Sequence, residues 1–269
     1  MRRLVVVGSV SGAPGVTTSV LALAAGWPVQ ADDGVRPVMV EADCCGGDVM
    51  IRFGLPPAPS LLDVAAAAGQ PHPGSLLGAV HELPVGVRVV PAVPGRRPCT
   101  QAVRLLAGEA GRRLLLGEEA DRGTVLLDVG RLTDEVQPFL DVADHAVVVT
   151  RGGAESLTHV SQYLPDSRLP AGRSTLAVVG PCPFKGDEIA GALRIPRVVF
   201  LPWDVKGAAA LSGGRDGNRG SRRARRQPLV IALGRLAGQL AAADPAGGEH
   251  EAVGDKPVRT STGTRESVR

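Results

Sequence analysis

Residues 11–18 read SGAPGVTT, and residues of these types at this spacing can hold a phosphate. Gly12 and Gly15, with Gly8 just ahead of them, let the backbone approach an anion closely and adopt positive φ. A glycine-rich turn between a buried strand and a helix aims several N–H groups at one point, and the helix dipole adds to the attraction. Thr17 supplies a hydroxyl where a magnesium-bound phosphate would sit. The stretch 5–24 has no lysine, the usual cation of such loops. The competing reading is a strand-to-helix turn that binds nothing.

A loop of this kind works only if a strand and a helix hold it. Residues 4–7 form a short apolar run ending at Gly8, the pattern of a buried parallel strand. A helix is expected over 17–25. Further strands are expected over 37–41, 87–91, 124–129, 145–150, 174–179 and 197–201. Helices are expected over 60–68 with Ser60 as N-cap, and over 100–120, 133–142, 154–164, 187–193 and 228–243. Strand and helix alternate with short loops, which predicts an α/β fold: a doubly wound, mainly parallel sheet with helices on both faces. Ligands on such sheets sit beyond the carboxyl ends of the strands. Asp128 stands near one such end.

Composition narrows the class. The 269 residues include 44% hydrophobic but only 3% aromatic side chains, an aliphatic mixture suited to β-branched strands and Ala-Leu helices. A single domain over 1–243 and a disordered tail over 244–269 are expected, since the composition after Asp244 loses all apolar periodicity. The apolar run before Gly8 is too short for a signal-peptide core, and none reaches the ~20 residues of a membrane helix. A cytoplasmic protein, peripheral at the membrane at most, is the expectation. Cys44, Cys45, Cys99 and Cys182 form no C-x-x-C pair and read as reduced thiols. Asp63 and Glu82 read as surface charges.

The loop resembles the deviant Walker A loop of the ParA/MinD family of P-loop ATPases, K-G-G-x-G-K-T-T. Gly12, Gly15, Thr17 and Thr18 match, Ser11 replaces the signature lysine, and Val16 replaces the Walker lysine. The segment VEADCCGGDVMIRFGL (40–55) is similar to the family's second-strand motif, an acidic pair before a glycine turn. VLLDVGRL (125–132) resembles its Walker B strand, and LPWD (201–204) its proline-containing segment against the base. The resemblance covers most of the chain from residue 4 to the final helix. It implies that ATP is held at Gly12, Ala13, Pro14, Gly15, Val16, Thr17, Thr18 and Pro202. It implies Mg²⁺ held through Thr17, Asp43 and Asp128, with Asp43 as the catalytic carboxylate binding a metal-bound water.

The chain also departs from the pattern. The strand over 174–179 ends VVGPCP, with Gly180 and Pro181 where the family has an asparagine reading adenine, and Pro14 removes one backbone donor. Losing a lysine from the phosphates should cost roughly 2–4 kcal/mol, some 30- to 1,000-fold in affinity, and hydrolysis more. Arg131 could substitute; otherwise it is an exposed loop arginine. The expected activity is that of a nucleotide-binding positioning protein with weak or absent hydrolysis, near the CpaE/TadZ branch. The alternative is a pseudo-ATPase scaffold. The resemblance further implies a homodimer and a protein partner in a partition, septum, pilus or secretion machinery. Arg215, Arg219, Arg222, Arg223, Arg225 and Arg226 crowd one segment that could meet DNA or an anionic membrane nonspecifically, or be only solvated.

Overall fold

Runs of valine and leucine without polar alternation form the centre of the sheet, because both faces of each strand are covered. The computed structural model describes residues 1–12, 15–70, 75–170, 172–212 and 225–243. Its strands are β1 (Arg3–Ser9), β2 (Val38–Glu41), β3 (His81–Glu82), β4 (Arg88–Val90), β5 (Thr124–Arg131), β6 (His145–Arg151), β7 (Ser174–Val179) and β8 (Arg197–Leu201). They form one sheet in the order β3-β4-β2-β5-β1-β6-β7-β8. Only the short β3 runs antiparallel to its neighbour. Central β1 pairs with β5 on one side and β6 on the other, so its carboxyl end lies between theirs.

Alternation along β1 divides the core. Val5 and Val7 face a cluster with Val20, Leu23, Leu233 and Leu240, contributed by α1 (Val16–Ala25) and the last described helix, α10 (Pro228–Ala242). Leu4 and Val6 face Val64, Val103, Leu106 and Phe139. That second layer is built from α3 (Leu61–Ala68), α4 (Arg96–Ala107), α5 (Glu109–Leu116) and α6 (Gln137–Asp141). The doubly wound parallel fold expected from the alternation is therefore present. At about 25 cal/mol per Å² of buried apolar surface, two such layers supply most of the folding drive.

Several boundaries differ from the sequence reading. The helix expected over 100–120 starts at Arg96 and breaks at Gly108, whose backbone is extended (φ −66°, ψ 167°). The break lets α5 fold back until Gly111 lies against Leu106, where a β-carbon would come within 2.3 Å of its Cα. The helix over 133–142 is a 3₁₀ turn (Asp134–Val136) followed by α6. Helices α2 (Val49–Phe53) and α9 (Val205–Leu211), and strand β3, had no periodic signal long enough to be read. Ser60 does precede a helix, and Asp63, read as a surface charge, accepts a hydrogen bond from the Ser60 amide (2.7 Å). Helices α7 (Ala154–Tyr163) and α8 (Gly186–Leu193) complete the layers.

Residues 244–269, Ala13, Pro14, Arg215, Arg219, Arg222 and Arg223 lie outside the described residues. Arg225 and Arg226 are described and exposed. No described helix is long and apolar enough to cross a membrane.

Candidate functional site

The loop leaves β1 at Ser9 and enters α1 at Val16. Gly12 (φ 69°) and Gly15 (φ 90°) both occupy the left-handed region, where a side chain would be strained. Ser9 Oγ donates to the Gly130 carbonyl (3.2 Å), tying the loop's root to the end of β5. The first turn of α1 has no acidic side chain of its own, and its positive end favours an anion. Val16 is only 6% exposed and packs in the core, so its backbone alone is left to face a ligand. Thr17 and Thr18 are half-buried in that first turn.

The carboxylates come from neighbouring strands. Glu41 lies opposite Asp128 in the β2–β5 register, and the amide of Ala42 donates to the Asp128 carbonyl (2.7 Å). Asp43 stands just past the end of β2, half-buried. Its Oδ1 accepts from the Cys45 amide (2.7 Å). Its Oδ2 lies so near Gly130 (φ 58°) that a β-carbon there would stand 2.0 Å away. Glycine at 130 is what lets the two strand ends close on each other. Burial raises the Asp43 pKa, with the Cys45 amide and Arg131 pulling it partly back.

Asp128 is fully buried. Its Oδ1 accepts from the Gly130 amide (3.0 Å), while its Oδ2 is buried without a well-formed hydrogen bond, the Thr17 hydroxyl favouring the carboxylate only as a near neighbour. Burial, then the charge of Glu41, pushes its pKa up to about 7; the Thr17 hydroxyl and Gly130 amide act against this, and Asp43 adds to it. Thr17 and Asp43 thus both act on Asp128. An orphaned carboxylate oxygen beside a hydroxyl and a second carboxylate has the chemistry to accept from water bound to a hard cation. Among the described residues no group of three metal-binding side chains gathers.

Glu41 itself was not singled out from the sequence, although an acid at the end of an apolar run is a signal. It is 2% exposed and accepts three backbone amides, from Asp48 (2.9 Å), Val49 (3.1 Å) and Ala92 (3.0 Å). It shapes the turn that carries Asp43.

On the other side of the loop lies a cleft of about 280 Å³ lined by Gly15, Thr18, Val179, Pro202, Trp203 and Leu229, among others. Pro202 lines this cleft together with Gly15 and Thr18. Trp203 was missed, though a tryptophan in a chain this poor in aromatics was a usable signal. It is 57% exposed, and the guanidinium of Arg151 sits 4.8 Å from its ring centroid. Arg131, exposed at the end of β5 and in register with Ser9, lies on the Asp43 side. Cys44 is buried beside Asp43, and burial raises its thiol to about pH 11, which leaves it unreactive.

No protein-family model and no curated protein matches the chain. Solved structures do. A ParA family ATPase from Chlorobium tepidum superposes with a TM-score of 0.66 at 16% identity, over 88% of this chain and 97% of that one. The septum site-determining protein MinD from Pyrococcus horikoshii, complexed with Mg-ADP, gives 0.62 at 17% over 90% and 98%. Cobyrinic acid a,c-diamide synthase from Mycobacterium smegmatis, with bound ADP and magnesium, gives 0.54 at 17% over 89% and 94%. The chain has the ParA/MinD-type P-loop ATPase fold.

Proposed function

We propose that this protein binds ATP with magnesium and uses the bound state, rather than rapid turnover, to position or organise a cellular machinery. The observation that carries the reading is the orphaned Asp128 Oδ2, buried beside Thr17 and Asp43 at the mouth of a glycine-rich loop. In this reading the backbone of Gly12, Ala13, Pro14, Gly15, Val16, Thr17 and Thr18 holds the phosphates, and Pro202 lies against the base. Thr17 would contribute a metal ligand, Asp128 would orient metal-bound water from behind, and Asp43 would bind a metal-bound water. The metal supplies charge neutralisation at the phosphates when bound. That solved structures of the same fold contain ADP and magnesium supports the assignment.

A titration with labelled ATP tests it. Binding should weaken at least tenfold when magnesium is chelated; binding indifferent to chelator would reject the assigned site. Steady-state hydrolysis should stay near background, because Ser11 and Val16 stand where lysines would stabilise the charge developing in transfer. A robust turnover abolished by Asp43→Ala would overturn that part.

The second reading, a pseudo-ATPase scaffold, is favoured by one observation: the Val16 side chain is committed to the core. It predicts no saturable ATP binding with or without magnesium.

In the first reading the ATP-bound protein pairs as a homodimer and meets a protein of a partition, septum, pilus or secretion apparatus. The arginines from 215 to 226 then supply a polyanion contact. Replacing Arg222, Arg223, Arg225 and Arg226 by alanine should flatten the salt dependence of DNA or liposome binding by up to roughly 3–4 in log–log slope. No binding by the wild type at low salt would remove that role.

A further inference from the structure

The cleft beside the loop has a composition that decides what it can distinguish. Its walls are Val179, Pro202, Val205, Ala208 and Leu229, all apolar, and its one aromatic member among the described residues is the exposed Trp203. A nucleobase meeting these walls is offered hydrophobic area and an aromatic face. The Arg151 guanidinium over the indole fixes that ring at the cleft's edge through a cation–π contact, so an exposed tryptophan has a defined plane.

Reading a base requires something further: fixed donors and acceptors along its edge. Among the described residues, the cleft's polar side chains besides the Trp203 indole itself are Thr18, Ser19 and Asp204, and two of these are already used. Ser19 Oγ donates to the Gly15 carbonyl (2.9 Å). Asp204 accepts from the Gly207 amide with Oδ1 (2.8 Å) and from the Leu229 amide with Oδ2 (3.2 Å), so it joins the starts of α9 and α10. Thr18 remains, in the first turn of α1, at the phosphate end of the cleft. The strand end facing Trp203 is Gly180, which has no side chain to offer. A pocket built to hydrogen-bond one substrate rejects its analogue by about 10⁴-fold, whereas an apolar pocket discriminates isosteres only weakly.

Resting on the nucleotide reading above, we infer that this cleft holds the base by stacking on Trp203 and does not read its edge. The ligand class is a nucleoside triphosphate without preference between adenine and guanine. The volume, about 280 Å³, is close to the lower end of ligand pockets, roughly 300 Å³, and suits a base with its sugar while the phosphates reach the loop.

Calorimetric titration of the full chain with ATP and with GTP, both with magnesium, tests this. The two dissociation constants should agree within about threefold, and Trp203→Ala should weaken both by about 5- to 150-fold, the range of one lost base–aromatic stack. Trp203→Phe, which keeps an aromatic face, should recover most of the loss. Trp203 is exposed, so folding should survive, and a melting curve checks it. A preference for ATP of 30-fold or more would overturn the inference while leaving the nucleotide reading standing. Equal binding that ignores Trp203→Ala would also overturn it. Binding of neither nucleotide would overturn the nucleotide reading itself, and this inference with it.

Discussion

Asp128→Asn should make the protein more stable at pH 8 and a poorer nucleotide binder at the same time. The carboxyl titrates near pH 7 in the folded chain because burial and the Glu41 charge disfavour its anion. In the unfolded chain it titrates near 3.8. The folded state therefore holds a proton that the unfolded state has lost between these values. The stability this represents is fully present below pH 3.8 and disappears as pH rises through about 7. Some 3 pH units at about 1.36 kcal/mol each amount to about 4 kcal/mol as an upper bound. Asparagine carries no charge, so the variant should be level with the wild type at pH 4 and gain roughly 2–4 kcal/mol at pH 8. At about 2–4 °C per kcal/mol the melting temperature should rise by roughly 5–15 °C. Loss of an oriented outer-sphere carboxylate should weaken magnesium-dependent ATP binding by about 10- to 100-fold. Thermal melts at the two pH values, with a nucleotide titration, check both. A variant less stable at pH 8 would mark Asp128 as an ordinary structural residue.

Glu41→Ala should act in the opposite sense. Its carboxylate satisfies the amides of Asp48, Val49 and Ala92, of which the last two lie on buried residues. Gly47 packs so tightly on it that a β-carbon there would lie 2.5 Å from Oε2. Truncation leaves amides without partners at about 1–3 kcal/mol each and opens a void. Relief of the buried charge, which raises the Glu41 pKa, offsets part. A net loss of about 3 kcal/mol is expected, a large share of the roughly 5–15 kcal/mol of a typical domain. Because the turn it holds carries Asp43, magnesium-dependent ATP binding should fall with it. Urea denaturation of variant and wild type measures the first effect. A midpoint shift worth less than about 1 kcal/mol would show that the turn stands without Glu41.

The two residues also show which features a sequence discloses. The alternation of apolar runs and helical stretches specified a doubly wound parallel sheet, because strands covered on both faces must be apolar throughout. The glycines at 12 and 15 declared a loop between β1 and α1, since few other residues accept positive φ, and both angles are positive in the fold. Asp128 was legible as an acid near a strand end, and Pro202 by its motif.

Local pattern could not place a residue against one distant in the chain. Glu41 gathers amides from two separate turns, one of them 51 residues away, and no periodicity encodes such a convergence. The breaks at Gly108 and before α6 escaped notice because glycine and proline within a helical pattern are weak signals until packing selects the bend. Arg151 and Trp203 lie 52 positions apart in sequence and meet only because β6, β7 and β8 are neighbours in the sheet. By itself the sequence determined the fold and the glycine-rich loop, both consequences of residue type and short-range spacing. The tertiary structure alone decided that Asp128 keeps an unpartnered oxygen and a raised pKa, because desolvation depends on everything packed around a group and not on its neighbours in the chain.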